Sequence, residues 1–340
     1  MCLGGSDSDV LLDLCYKVDK DKKITYVFFD TGIEYAATHE HLDFLEKKYD
    51  ISILRYRPKK PVPQSCKEYG QPVFNKVTCE MLMRLQKYGF EWEDDSFFNL
   101  LDKYCIKADV VKTAELEEKL EKDEDIKHWA KFNGIWYKGC CSALAFWCNN
   151  NKNGGMYNIS KLPFLKEFIT ENPPTFKISN KCCTYAKKTV SEQLCKAYGF
   201  DLVILGLRKA EGGARADAYK NCFSSPNKSH KFASYRPIFW YKTENKNIYK
   251  DFYNIECSRC YSEYKLTRTG CAGCPYGAHW KDEVGMCREY EPKLYKAITY
   301  IFKDSYAYME AYAEYVKKRK MADASVLSDN GTSFAVGSHG

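Results

Sequence analysis

Ile24-Thr25-Tyr26-Val27-Phe28-Phe29-Asp30 (ITYVFFD), followed at once by Thr31-Gly32, is the stretch on which the fold turns. It is a nearly continuous β-branched and aromatic run, bounded by Asp-Lys-Lys before it and Thr-Gly after it, and it reads as a strand buried on both faces. Upstream, Asp7 to Val18 (DSDVLLDLCYKV) has apolar residues at helical spacing behind a Gly-Gly-Ser-Asp start that can cap a helix. Downstream, Glu34 to Tyr49 reads as a second helix and Ile51 to Arg57 (ISILRYR) as a second strand, closed by Pro58. Helix, strand, helix, strand is the rhythm of a parallel α/β sheet.

From Cys66 to about Asn153 this rhythm lapses into helical segments and a mixed-charge run, Glu115 to Lys127, which reads as a solvated helix face. It returns with a helix at Ser191 to Tyr198 and a strand at Asp201 to Gly206 (DLVILG). The expected organisation is an α/β domain over residues 1–215 with a helical insertion at about 66–153. A cysteine-rich, helical region over 216–320 then ends in a long helix from about Pro292 to Lys320. In that helix Leu294, Ile298, Ile301, Tyr308, Tyr312 and Tyr315 keep helical spacing, so the aromatic stripe reads as core. Residues 321–340 are small and polar and read as a disordered tail.

The 340 residues carry 45% hydrophobic and 15% aromatic side chains, too apolar for a disordered chain, and no apolar run is long enough to span a bilayer. A net charge of +7 spread over this length is weak support for a nucleic-acid partner. Seventeen cysteines would suit a disulfide scaffold in a short secreted chain, but Met1 to Val10 lacks the basic and apolar regions of a signal peptide. The expectation is a cytoplasmic metal or redox protein with additional reduced thiols.

Gly4-Gly5-Ser6-Asp7-Ser8 opens a helix, where free N–H groups and the helix dipole can hold an anion such as a pyrophosphate. Asp30-Thr31-Gly32 stands at the C-terminal end of the next strand, where open parallel sheets bind ligands. Arg208, Glu211 and Arg215 follow the end of a later strand and add charge to the same rim, arginine being suited to phosphate or sulfate by its planar fork. Together these segments resemble the phosphoadenosine phosphosulfate (PAPS) reductase family of the adenine nucleotide alpha hydrolase, or PP-loop, superfamily. Leu3 to Ser8 is similar to that family's Ser-Gly-Gly-Lys-Asp-Ser loop in both glycines, the aspartate and the last serine. Asp30-Thr31-Gly32 with Glu34, Tyr35 and Thr38, and Gly206, Arg208, Glu211 and Arg215, match two further signatures.

The resemblance covers most of residues 1–280 and implies a Rossmann-like domain binding ATP or a PAPS-type nucleotide. In it the loop would hold phosphate or sulfate, the Asp30 region the adenosine, and Arg208 and Arg215 the anionic end. Two departures stand out. Leu3 and Ser6 replace the loop's serine and lysine, and the chain starts at the loop, where family members have a preceding central strand. The expectation is therefore a lost N-terminal strand or a rearrangement there.

Read locally, Cys257-x2-Cys260-x10-Cys271-x2-Cys274 is a four-thiolate zinc site. The family resemblance implies a rival set, Cys182 and Cys183 with Cys271 and Cys274, holding a [4Fe–4S] cluster. Ligand type cannot separate the two metals; the cluster set is preferred, and Cys140-Cys141, Cys66 and the other cysteines read as buried thiols. No cysteine follows Cys287, and Ser338-His339-Gly340 lacks the family's glutamate-cysteine-glycine context. The chain thus looks like either a sulfur reductase or a sulfur transferase with a nucleic-acid or small-molecule acceptor and a thiol reductant protein. The alternative is a non-catalytic, degenerate nucleotide-binding protein with a structural zinc or iron–sulfur site. Arg55 to Lys60 (RYRPKK) is a candidate polyanion contact, and His39 and His41 read as packing residues.

Overall fold

A computed structural model of the chain describes residues 1, 3–105, 138–151, 155–212, 219–227 and 232–331. It divides into two units, Met1–Glu68 with Lys181–Ile301, and Tyr69–Asn180 with Phe302–Gly340. Both are discontinuous in sequence, which differs from the linear division expected near residue 215.

In the first unit, β1 (Tyr26–Phe29) pairs in parallel with β2 (Ile53–Tyr56), Tyr26 opposite Ile53 and Phe29 opposite Tyr56. Tyr26, Val27 and Phe28 are all buried, as a strand covered on both faces requires. On the other edge of β1 the Val27 N–H donates to the Met1 carbonyl and the Leu3 N–H donates to the Val27 carbonyl, each at 2.8 Å. This is the hydrogen-bond pattern of a parallel neighbour. Met1 and Leu3 thus supply two backbone partners on that edge of β1.

The two helices beside β1 are α1 (Ser6–Val18) and α2 (Ala36–Tyr49). Leu11 and Leu12 of α1 meet Leu42 and Leu45 of α2 around Met1, Tyr26, Phe28 and Ile53, with Ile204 packed against the cluster. Full burial of each such side chain contributes roughly 1.5–3 kcal/mol. A second sheet holds β3 (Leu202–Ile204), β4 (Phe223–Ser224) and β5 (Ala233–Tyr235), with β3 parallel and β4 antiparallel to β5. Just beyond β3, Gly206 lies under the first turn of α1: a Cβ there would stand 3.1 Å from backbone atoms of Asp7 and Ser8.

The second unit is helical. Asn75 caps the helix Lys76–Lys87 and Ser96 caps Phe97–Tyr104 through side-chain oxygens. Phe90, Trp92, Tyr104 and Trp147 pack ring on ring, and Phe168 packs on Tyr308, Tyr312 and Tyr315 of the helix Lys303–Gly331. Tyr308, Tyr312 and Tyr315 are only half-buried, so the stripe expected as core is a partly exposed seam, and it ties the insertion to the last helix. The single long helix expected from Pro292 is two, Pro292–Ile301 and Lys303–Gly331, interrupted at Phe302. The tail expected from residue 321 is helical as far as Gly331. The charge run Glu115 to Lys127 lies outside the described residues. No described helix is long and apolar enough to cross a membrane.

Because the atoms facing Gly206 belong to backbone, they have little room to yield. Gly206→Ala is expected to lower stability by about 1–3 kcal/mol, read from urea unfolding; an unchanged midpoint would show that α1 does not press on this position.

Candidate functional site

Two positions in the glycine loop are set by backbone geometry. Gly4 has φ +123°, a region open chiefly to glycine, and sits 3.1 Å (measured from an added Cβ) from the Phe28 ring; Gly5 caps α1 in an extended conformation. The Gly5 N–H donates to Ser8 Oγ at 2.8 Å, and the Ser6 N–H donates to Tyr261 Oη at 3.0 Å. Tyr261 Oη lies 3.0 Å from Thr269 Oγ1, which in turn donates to the Gly4 carbonyl. Tyr261 and Thr269 therefore hold the loop from the cysteine-rich segment. Burial raises the Tyr261 phenol above its usual range, against hydrogen bonds from Thr269 and the Ser6 backbone.

Charge gathers at the same helix start. Asp7 Oδ1 accepts from Arg208 Nε at 2.9 Å and pairs with Lys246 Nζ at 3.1 Å, and Lys246 Nζ donates to Ser6 Oγ at 3.2 Å. Arg208 is 6% exposed; its Nη1 donates to the Tyr241 carbonyl at 3.4 Å and its backbone N–H donates to Glu211 Oε1 at 3.0 Å. The structure thus brings Asp7, Arg208 and Glu211 together, while Arg215 lies outside the described residues. Lys246, on the helix Thr243–Phe252, is the residue that sequence reasoning missed. It belongs to no motif, and the only hint in the sequence is the missing charge at Ser6.

At the end of β1, Asp30 Oδ1 accepts from the Gly32 N–H at 2.9 Å and Thr31 Oγ1 donates to Glu34 Oε1 at 2.5 Å. Gly32 has φ +89° and is closely faced by Pro61 and Pro63. Thr31 Oγ1 also lies 3.4 Å from Cys271 Sγ, and the Ala272 N–H donates to the Ile33 carbonyl at 3.0 Å. The Asp30-Thr31-Gly32 signature and the Cys271–Cys274 loop are in direct contact.

Of the four thiols expected as ligands, Cys183, Cys271 and Cys274 act on one another's charge, and Cys182 hydrogen-bonds Cys183. Burial raises Cys271, the Lys187 ammonium acting in the opposite sense, and the thiolate charge of Cys183 adds to the rise. Burial pushes Cys274 up to about 12, with Cys271 and Cys183 contributing. A hydrogen bond with Cys183 favours the Cys182 thiolate, but one with Cys66, burial, and the charges of Cys66 and Cys274 leave it well above the usual thiol range. Lys187 is held protonated above its ordinary range first by Cys271 and then by Glu34. Cys66, read from sequence as a spectator, is thus a neighbour of Cys182. Cys257 and Cys260 have other surroundings: Asp9 and Lys250 beside Cys257, Thr38 Oγ1 at 3.7 Å from Cys260 Sγ. Among the described residues, no three His, Cys, Asp or Glu side chains stand in ligating geometry for a metal ion, and no disulfide joins the described cysteines.

His41 Nε2 lies 3.1 Å from the buried carboxylate of Asp9, and His39 packs edge-on against Phe28. In the basic stretch, Arg55 is engaged by Asp43 and Glu46 and Lys60 by Glu68, which reduces the charge it offers a polyanion.

Residues 1–129 match the phosphoadenosine phosphosulfate reductase domain family, the segment that holds the glycine loop and the Asp30-Thr31-Gly32 signature. Over these residues the chain is similar to that family. It is also similar to adenosine 5'-phosphosulfate reductase 1 of Bacillus subtilis, 32% identical over 76 residues, which are 22% of this chain and 32% of that protein. It is also similar to an uncharacterized protein of Methanocaldococcus jannaschii, 28% identical over 180 residues, covering 46% of this chain and 37% of that one. The chain spans about a third of the length of these curated relatives. Against a PAPS reductase from Candida auris, solved as a phosphate complex, the TM-score is 0.35 at 11% identity, over 77% of this chain and 75% of that one. That likeness is too slight to bear on fold or ligand.

Tyr261→Phe removes the oxygen that joins Ser6 to Thr269. The expected loss of stability is about 1 kcal/mol by urea unfolding with no change in slope, and a variant as stable as wild type would deny Tyr261 its role as the loop's clasp.

Proposed function

We propose that this PAPS reductase-like chain binds an adenine nucleotide at the Gly4–Ser8 loop and acts beside the Cys182, Cys183, Cys271 and Cys274 thiols in reduction of a PAPS-type nucleotide's sulfur, or in transfer of sulfur from a separate donor to an acceptor activated with ATP. The observation that carries this reading is the contact between Thr31 Oγ1 and Cys271 Sγ at 3.4 Å, which joins the nucleotide signature to the thiol group. Gly4, Gly5, Ser6, Asp7 and Ser8 with Arg208 would receive the phosphate or sulfate end, with Glu211 beside Arg208, and Asp30, Thr31 and Gly32 the adenosine; Arg215, outside the described residues, is proposed from sequence for the same anionic end.

The donor set is four soft sulfur ligands from two segments with an ammonium, Lys187, beside them to offset thiolate charge. This supports a [4Fe–4S] cluster, with zinc as the alternative, and binding would require these thiols to lose their protons and draw closer than they stand. Such a cluster, when bound, supplies electrons or an iron that carries sulfur. The chain's own residues then have separate tasks: Asp7 orients Arg208, Thr31 fixes Cys271 relative to Glu34, and Lys187 favours the Cys271 thiolate. The reading places the protein in the cytoplasm, where the described cysteines would stay reduced, with a thiol reductant protein as electron donor and a small molecule or nucleic acid as acceptor.

A second reading has its own observation. The Gly5 and Ser6 N–H groups are already satisfied by Ser8 Oγ and Tyr261 Oη, as a loop retired from catalysis would be, which favours a non-catalytic nucleotide-binding or interaction protein. Protein purified anaerobically and assayed for iron, sulfide and zinc separates the two when incubated with PAPS plus dithiol, and with ATP plus a sulfur donor. The expected outcome is iron with sulfide, and either sulfite or AMP with pyrophosphate as product. Zinc without iron would overturn the cluster, and nucleotide binding without any product would favour the second reading.

A further inference from the structure

The loop carries no cation of its own, since Ser6 precedes Asp7 and neither is basic. Both cations at the start of α1 come from distant segments, Arg208 from the turn after β3 and Lys246 from the helix Thr243–Phe252. Their engagement differs. Arg208 spends Nε on Asp7 and Nη1 on the Tyr241 carbonyl, so much of its fork is committed to protein atoms. Lys246 has three N–H donors on one nitrogen, and the protein atoms recorded against it are Ser6 Oγ at 3.2 Å and Asp7 Oδ1 at 3.1 Å.

Asp7 faces a guanidinium and an ammonium, Glu211 Oε1 accepts from the Arg208 backbone N–H at 3.0 Å, and the side chains of Arg208 and Lys246 are only 7% and 13% exposed. Two cations this little exposed stand at the start of the 13-residue α1, where the helix dipole adds partial positive charge, and a further anion is favoured there. Asp7 keeps the two cations fixed beside the first turn.

We propose that Lys246 is an anion-binding residue of this site, which grips a phosphate or sulfate group of the nucleotide between its ammonium and the first turn of α1. This rests on the nucleotide reading given above and names the residue that supplies the charge. The cation comes from the segment next to the cysteine-rich loop, so the bound anion joins that segment to the glycine loop. Lysine acts here as a compact point charge, while Arg208 serves as a positioning residue held by Asp7.

The test is calorimetric titration of ATP and of PAPS into wild type, Lys246→Gln, and Lys246→Gln combined with Ser6→Lys, which returns the charge from the loop itself. The expected result is an affinity at least about 10-fold weaker in Lys246→Gln, in keeping with loss of a charge-assisted hydrogen bond, and recovery in the double variant. A loss that Ser6→Lys does not restore would make Lys246 a structural residue and overturn the proposal, as would a single variant that binds like wild type. Wild type that binds neither nucleotide would overturn the nucleotide reading and this inference with it. Should Lys246→Gln not fold, amine acylation of the wild-type protein followed by mass spectrometry decides: Lys246 is expected to be several-fold protected by ATP, and equal labelling with and without ATP would contradict the assignment.

Discussion

The carboxylate of Asp7 is the point on which the site depends. It stands in the first turn of α1 and holds Arg208 from the turn after β3 and Lys246 from the helix Thr243–Phe252. Three chain segments far apart in sequence are fixed around one oxygen atom, with Gly206 allowing the β3 turn to approach the backbone of Asp7 and Ser8 closely. An ion pair this little exposed contributes modestly to net stability, because desolvation offsets attraction, but losing its anion would leave two cations uncompensated. Its main effect is to fix the two cations at the start of a helix.

The cysteine-rich segment is joined to the glycine loop at two places and to the end of β1 at a third. Tyr261 takes the Ser6 N–H, Thr269 donates to the Gly4 carbonyl, and Cys271 rests against Thr31. The thiols and the loop are therefore parts of one arrangement, and a ligand that displaced Tyr261 would be felt along the segment leading to Cys271. The similarity of residues 1–129 to the phosphoadenosine phosphosulfate reductase domain covers the loop and the Asp30-Thr31-Gly32 half of that arrangement.

Much of this was legible in sequence where a local pattern dictates the outcome. ITYVFFD is apolar on both faces and became a buried strand; the two glycines before an amphipathic run became a helix start; and Tyr308, Tyr312 and Tyr315 at helical spacing came to pack, half-buried, on Phe168. What sequence did not disclose depends on tertiary contact. Lys246 looks like any solvated lysine until the fold brings it to Ser6, and Tyr261 and Cys66 lack a motif for the same reason. The backbone of Met1 and Leu3 is too short a stretch to read as a strand, yet pairing with Val27 is a matter of position, not composition. The two discontinuous units likewise follow from aromatic contacts between Phe168 and the last helix, which no composition shift along the chain announces.

The central claim is that the nucleotide loop and the thiol group form one site. It is tested most directly by the alkylation rate of Cys271 in reduced, metal-free protein, followed by mass spectrometry with and without saturating PAPS. A several-fold fall in the Cys271 rate, with Cys148 of the other unit serving as the internal control, is the result this account predicts. An unchanged rate under conditions where PAPS is shown to bind would contradict it.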